Sequence, residues 1–181
     1  SVMADVFRGL DLRIPADRLL ISPMAGVGID EIRSKTGLEA IVVCMPTVAA
    51  AIGASPTAYV MSSGVSDAQR LVVQKIMGAF GAGFELERED QLSVVTAAIG
   101  DAPAIHAMLL QAQIDALVAR GIAPEVAKEM VLMAARGNVS LMENDDRMPG
   151  QVYVEGWRRY QVAGAVIRAL EEGGFPGVVE A

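Results

Sequence analysis

The stretch Thr96–Arg120, TAAIGDAPAIHAMLLQAQIDALVAR, limits what this chain can fold into more than any other. After Pro103, seventeen residues run without Gly or Pro, and only His106, Gln111, Gln113, Asp115 and Arg120 among them are polar. Ala, Ile, Met and Leu make up most of the rest of the circumference. A helix that is apolar all round has to be covered on more than one side. It reads as too short and too polar to cross a bilayer. It is therefore the axis of a helical domain, or it is buried against a second subunit. The break ahead of it, Gly100-Asp101-Ala102-Pro103, is equally constraining. Pro103 has no backbone N–H and disfavours helical geometry in the residue before it. Asp101 is a suitable N-cap for the long helix. Two readings of the break stand open: a loop that turns N–H groups toward a ligand, or an ordinary kink in a core helix.

Composition narrows the function classes. The 181 residues suffice for one good-sized domain or two small ones, and 52% of them are hydrophobic. Such a surplus of apolar surface favours a subunit interface. A net charge of −7 argues against nucleic acid and against anionic membrane surfaces. Cys44 is the single cysteine, so no internal disulfide forms and the default compartment is the reducing cytoplasm. It sits in an apolar run and reads as buried and inert. One His and one Cys leave no zinc-type ligand set, and no metal is expected. No signal peptide or membrane span is visible, and the opening without Met suggests a fragment or a processed product.

In chain order, residues 1–10 carry apolar positions at helical spacing. Leu19–Ser22 is a short apolar strand that runs into the turn-rich Ala25-Gly26-Val27-Gly28. Asp30–Lys35 forms a helix stopped by Gly37. Ala40–Met45 is a second buried strand, halted at Pro46, and Ala58–Met61 a third. Ser66-Asp67-Ala68-Gln69 has capping-box spacing and opens a helix to Phe80, with Leu71, Val72, Ile76 and Met77 on one stripe. The glycines of GAFGAG, 78–83, precede a strand when a dinucleotide fingerprint would come after one, so they read as a helix stop and turn. Phe84–Glu87 alternates as a half-exposed fourth strand. Buried strands separated by helices give a sheet covered on both faces. From Glu89 onward only helices are expected: Asp90–Ile99, Pro103–Arg120, Pro124–Glu143 and Val154–Glu172. The apolar stripe of the third is Val126, Met130, Met133 or Ala134, Gly137 and Leu141. The organisation is thus an α/β domain over 1–88 and an all-helical domain over 89–181.

Short signatures recur in a telling order. A strand leads into Ala25-Gly26-Val27. Next come Val43-Cys44-Met45-Pro46 and Thr96-Ala97-Ala98-Ile99-Gly100-Asp101-Ala102-Pro103-Ala104. Met148-Pro149-Gly150 and Leu170-Glu171-Glu172-Gly173-Gly174-Phe175 complete the series. In this order and spacing the chain resembles the pyrroline-5-carboxylate reductases. Their corresponding segments read Ala-Gly-Val, Met-Pro-Asn-Thr-Pro, Thr-Ala-Leu-Ser-Gly-Ser-Gly-Pro-Ala, Ser-Pro-Gly-Gly-Thr-Thr and Leu-Glu-Glu-Gly-Gly-Phe.

The resemblance implies the C-terminal part of a Rossmann-type domain, then a helical domain that interlocks with a second copy as a homodimer or higher oligomer. It implies NADP or NAD as cofactor, with Ala25, Gly26, Met45, Pro46 and Thr47 on the cofactor side. Substrate would lie at Gly100, Pro149, Gly150, Gln151 and Val152. The Gly-rich phosphate loop would lie upstream of Ser1, so this stretch alone is expected not to bind a dinucleotide in the family's way. Several positions depart from the motifs. Thr47 stands for Asn, Ile99 and Asp101 for two serines, and Gln151, Val152 and Tyr153 for Gly-Thr-Thr. Asp101 places a negative charge where an anionic substrate is expected. Asp101, His106 and Tyr153 are the acid–base candidates nearby, set against plainer roles as cap, helix residue and packing aromatic. The expected function is an NAD(P)-dependent reductase of a cyclic imine C=N, as in proline biosynthesis. The alternative is a diverged member without redox chemistry, either a binding and dimerisation protein or a non-redox acid–base enzyme.

Overall fold

The computed structural model describes residues 14–152 and 161–174. The helix read over residues 1–10, Tyr153, the first part of the helix read over Val154–Glu172 and Phe175 of the last motif lie outside the described residues. The chain forms two compact units, Ser1–Pro103 and Ala104–Ala181.

The first unit is built on four strands in the order β1 (Leu20–Ser22), β2 (Ile41–Met45), β3 (Ser55–Met61) and β4 (Gly81–Glu85). β1 and β2 are parallel, joined through helix α1 (Ile29–Thr36), with Leu20 opposite Ile41. β2 and β3 are antiparallel, with Cys44 opposite Tyr59, and a 3-10 turn at Val48–Ile52 joins them. β3 and β4 are parallel again through helix α2 (Asp67–Ala79). Because side chains alternate along a strand, the apolar run of β2 feeds two cores. Ile41 and Val43 join Ile29, Ile32, Leu38 and Val60 on the α1 face. Val42 and Cys44 join Tyr59, Val73 and Met77 on the α2 face. Both faces are covered, as a run without polar residues requires.

Local signals account for the element ends. Gly37 closes α1 with φ of +71°. Ser66 and Gln69 form the reciprocal capping box, Gln69 N donating to Ser66 Oγ and Ser66 N to Gln69 Oε1. Buried hydroxyls are paired. Ser55 Oγ accepts from Thr47 N at 2.8 Å and from Thr57 Oγ1 at 3.2 Å. Ser62 Oγ accepts from Ile41 N at 2.9 Å and donates to Glu39 O at 2.6 Å.

The structure corrects several expectations from the sequence. The buried stripe of α2 is Val73 and Met77, with Ile76 half-buried, whereas Leu71 and Val72 are exposed. Apolar residues cover a wide arc of this helix, and contact with Val42, Cys44 and Tyr59 selects the side. Gly81 and Gly83 are not a turn but part of β4. A Cβ on Gly81 would lie 2.5 Å from Ser55 N, and one on Gly83 2.7 Å from Met77 Cβ. Gly81 is needed because the backbone of Ser55 on the neighbouring strand passes close by, and Gly83 because the end of α2 crosses closely over the strand. Of the two readings of the break before the long helix, the structure takes the kink, not the open loop. Helix α3 (Glu89–Val95) passes into a π-helical turn at Thr96–Gly100, and α4 (Ala102–Val118) comes next. Pro103 cannot bond back to Ile99 O; Asp101 N donates to it in its place. Asp101 has φ of −91° and ψ of −5°, not the extended geometry of an N-cap. The whole path Glu89–Val118 is 30 residues, so by length and composition alone it would also suit a bilayer. Ending the helix at Gly100, as the sequence suggests, is what makes the span look shorter.

In the second unit, α4 buries no residue within the chain, and Met108 is 67% exposed. Helix α5 (Pro124–Glu143) starts with Pro124 at its first turn. Its residues buried within the chain are Ala127 and Val131. The stripe read from the sequence lies bare instead: Val126, Met130, Met133 and Leu141 are all at least half exposed. Helix α6 (Gln161–Glu172) ends at Gly173 and Gly174, the latter with φ of +74°.

Candidate functional site

A cleft of about 190 Å³ opens in the first unit at the carboxyl ends of β1 and β2. Open α/β sheets present ligands there, because helix N-termini and loop N–H groups converge at that edge. Its rim is the β1–α1 turn, Met24–Gly28; its floor is Val43, Cys44 and Met45; its far wall is Glu89, Leu92, Ser93 and Thr96. Gly26 takes φ of +73°, which lets the turn reverse into α1.

The sequence-predicted residues divide around it. Ala25, Gly26 and Met45 line the cleft together. Pro46 and Thr47 do not. Thr47 Oγ1 faces Ser55 Oγ at 3.3 Å and accepts from Ala49 N at 3.3 Å, so this side chain caps the 3-10 turn. Gly100 sits at the end of the π turn, where a Cβ would meet only Thr96 Cγ2 at 3.6 Å. Asp101 is exposed, and among the described residues its carboxylate makes no hydrogen bond or ion pair. His106 is exposed on α4. Pro149, Gly150, Gln151 and Val152 are helical in backbone in the second unit, and Gln151 N donates to Met148 O at 2.8 Å. Asp145, just ahead, is held at about 2 by the Arg147 guanidinium and by Arg147 N, both of which donate to it. Among the described residues no group of three or more His, Cys, Asp or Glu could hold a metal ion.

The residues of the far wall with polar side chains, Glu89, Ser93 and Thr96, are not among the site residues read from the sequence. Glu89 is the most informative. Its two carboxylate oxygens accept from Ile29 N at 3.2 and 3.3 Å, sixty positions back along the chain. The N-cap of α1 is Gly28, which has no side chain to cap the helix. That lack of Ser, Thr, Asp or Asn was the available signal: an uncapped buried helix start draws its partner from elsewhere. Thr96 Oγ1 donates to Leu92 O at 2.7 Å, a bond that competes with the regular helical ladder where the π turn begins. Cys44 is free and buried, and burial raises its thiol to about 11.

Known proteins resemble this chain in sequence and in fold. Residues 89–181 match the family described as "Pyrroline-5-carboxylate reductase dimerisation". The chain is 26% identical over 181 residues to the pyrroline-5-carboxylate reductase of Pseudomonas aeruginosa, covering 99% of this chain and 66% of that protein. It is 30% identical over 201 residues to that of Mycobacterium leprae, covering 100% of this chain and 68% of the relative. Against the Haemophilus influenzae enzyme it spans 55% of the relative's length. In fold it matches the NADP-bound pyrroline carboxylate reductase structure of Plasmodium falciparum, with a TM-score of 0.87 at 24% identity, over 99% of this chain and 72% of that one. The 1-pyrroline-5-carboxylate reductase structure of Streptococcus pyogenes gives 0.86 at 22%, over 97% and 68%. The bare apolar surface of α4 and α5 is what a dimerisation segment presents, and the fold, the matched half and the ordered motifs agree: the chain belongs to the pyrroline-5-carboxylate reductase family.

Proposed function

We propose that the protein is an NAD(P)-dependent reductase acting on a cyclic imine C=N bond, with proline-type chemistry in a reducing compartment. The observation that carries this reading is the cleft at the carboxyl ends of β1 and β2, walled by the motif residues Ala25, Gly26 and Met45. Its volume is below the roughly 300–1,000 Å³ of a site that takes a whole drug-sized ligand, so it suits one ring of a larger molecule. A nicotinamide, when bound, supplies the hydride; the protein supplies position and charge. In this chain the Ala25–Gly28 turn and Met45 would hold one face of that ring, and Thr96 would border the other. The test is loss of NADPH or NADH absorbance on adding pyrroline-5-carboxylate to a protein that carries this chain together with a Gly-rich phosphate loop upstream of Ser1, because the stretch alone is expected not to bind a dinucleotide. No turnover with either nucleotide, in a protein that melts cooperatively, would sink the reading.

A second reading, a member without this redox activity, is favoured by one observation: the exposed Asp101 carboxylate has no hydrogen-bonding partner among the described residues where the family has serine. If Asp101 faces the substrate, Asp101→Ser should tighten proline binding by about fivefold, roughly 1 kcal/mol for a screened charge contact. Calorimetric titration measures it. Unchanged affinity would remove Asp101 from the substrate's surroundings.

A further inference from the structure

A helix start with free N–H groups at the rim of a cleft attracts anions. Here that place is taken from within the chain. Glu89, the first residue of α3, reaches the start of α1 with both carboxylate oxygens within 3.3 Å of Ile29 N. The carboxylate lies directly against the turn: a Cβ on Gly28 would lie 2.2 Å from Glu89 Oε1, so a side chain there would push the carboxylate aside. The side chain is half-buried and forms part of the cleft wall. Asp30 and Glu31 add negative charge in the first turn of α1.

We infer that Glu89 is the resident anion of this cleft. It is a positioning residue that holds the Gly26–Gly28 turn, and a specificity determinant that closes the α1 end to ligand anions, so that the cleft takes an uncharged group. The inference rests on the reading of the cleft as a ligand site, and it deepens that reading by excluding the phosphate end of a dinucleotide from this corner. Fixed negative charge and an already satisfied donor both act against a phosphate there.

The probe is inorganic phosphate, and the reporter is the Ile29 amide in the NMR spectrum of the full chain. In the unaltered protein, phosphate should produce no saturable shift of Ile29. In Glu89→Ala the Ile29 amide should exchange with solvent about tenfold faster, the effect of one charge-assisted bond, and phosphate should then shift it saturably and slow the exchange again. Glu89→Gln keeps an acceptor oxygen and should hold exchange within about threefold of the starting value, because a neutral bond retains part of that protection. If Glu89→Ala does not fold, Gly28→Ala evicts the carboxylate by contact alone and should give the same faster exchange and phosphate response. Saturable phosphate binding at Ile29 in the unaltered protein would overturn the inference. So would unchanged Ile29 exchange in the variants. Neither result depends on turnover, so failure here and failure of the reductase reading are told apart by separate measurements.

Discussion

At the scale of single residues, ionisation shows how strongly the fold acts on groups the sequence can only name. The Cys44 thiol has an ordinary value of 9.0 and is raised to about 11 by burial. The unfolded thiol therefore ionises first, and folding loses support as pH rises from about 9 through about 11. Cys44 should resist a thiol reagent at neutral pH until the protein unfolds, and Cys44→Ala should flatten the alkaline loss of stability. Rapid modification of the native protein would contradict its burial. Asp145 moves in the opposite sense, from 3.8 down to about 2, because Arg147 donates to it from side chain and backbone. The support it gives the turn before Met148 is complete above about 3.8 and is lost as pH falls through about 2. A carboxyl-carbon NMR titration should return Asp145 to the ordinary range in Arg147→Gln; an unmoved midpoint would show that the guanidinium is not the cause.

Elements show where periodicity is sufficient and where it is not. Continuous apolar runs locate β2 and most of β3, and capping chemistry locates the start of α2. Periodicity places β4 three residues too late because its first half is Gly81-Ala82-Gly83, which carries no strand signal. Gly83 answers to Met77, packed against the strand, and Gly81 to the backbone of Ser55 on the neighbouring strand. Gly83→Ala should therefore cost about 1–3 kcal/mol, the usual penalty of overpacking a close contact. A denaturant midpoint that stays within error would mean that α2 and β4 shift apart freely. The π turn at Thr96–Gly100 has a similar origin. Pro103 removes one donor, and the backbone rewinds locally as a π turn, which is the kink reading of the break and not the loop.

For the whole molecule, the decisive quantity is apolar surface that one chain leaves bare. α4 has no residue buried within the chain, and Met130, Met133 and Leu141 of α5 are exposed. The match of residues 89–181 to a dimerisation family assigns that surface to an oligomer. Two-fold packing of a second copy would cover it, burying above about 2,000 Å² in total, as obligate dimers do. Leu109→Glu or Ile114→Glu should leave aggregated or unfolded protein and no stable monomer. Light scattering on the purified chain checks this. A soluble, cooperatively folding monomer at micromolar concentration would show that α4 is satisfied within one subunit.

Sequence alone determined the element order, the α/β-then-helical organisation and the family, because each depends on local periodicity, turn residues and short motifs kept in order. Tertiary structure alone decided which face of α2 and α5 is buried, that Gly81 and Gly83 belong to a strand, and that Thr47 turns to Ser55 while Met45 lines the cleft. It also brought Glu89 to Ile29. A carboxylate sixty positions from its donor leaves no trace in spacing, since the pairing exists only once β1, α1 and α3 have packed around the same cleft. The one local hint, a helix opening on glycine with no cap of its own, says that a partner is needed and is silent on which residue supplies it.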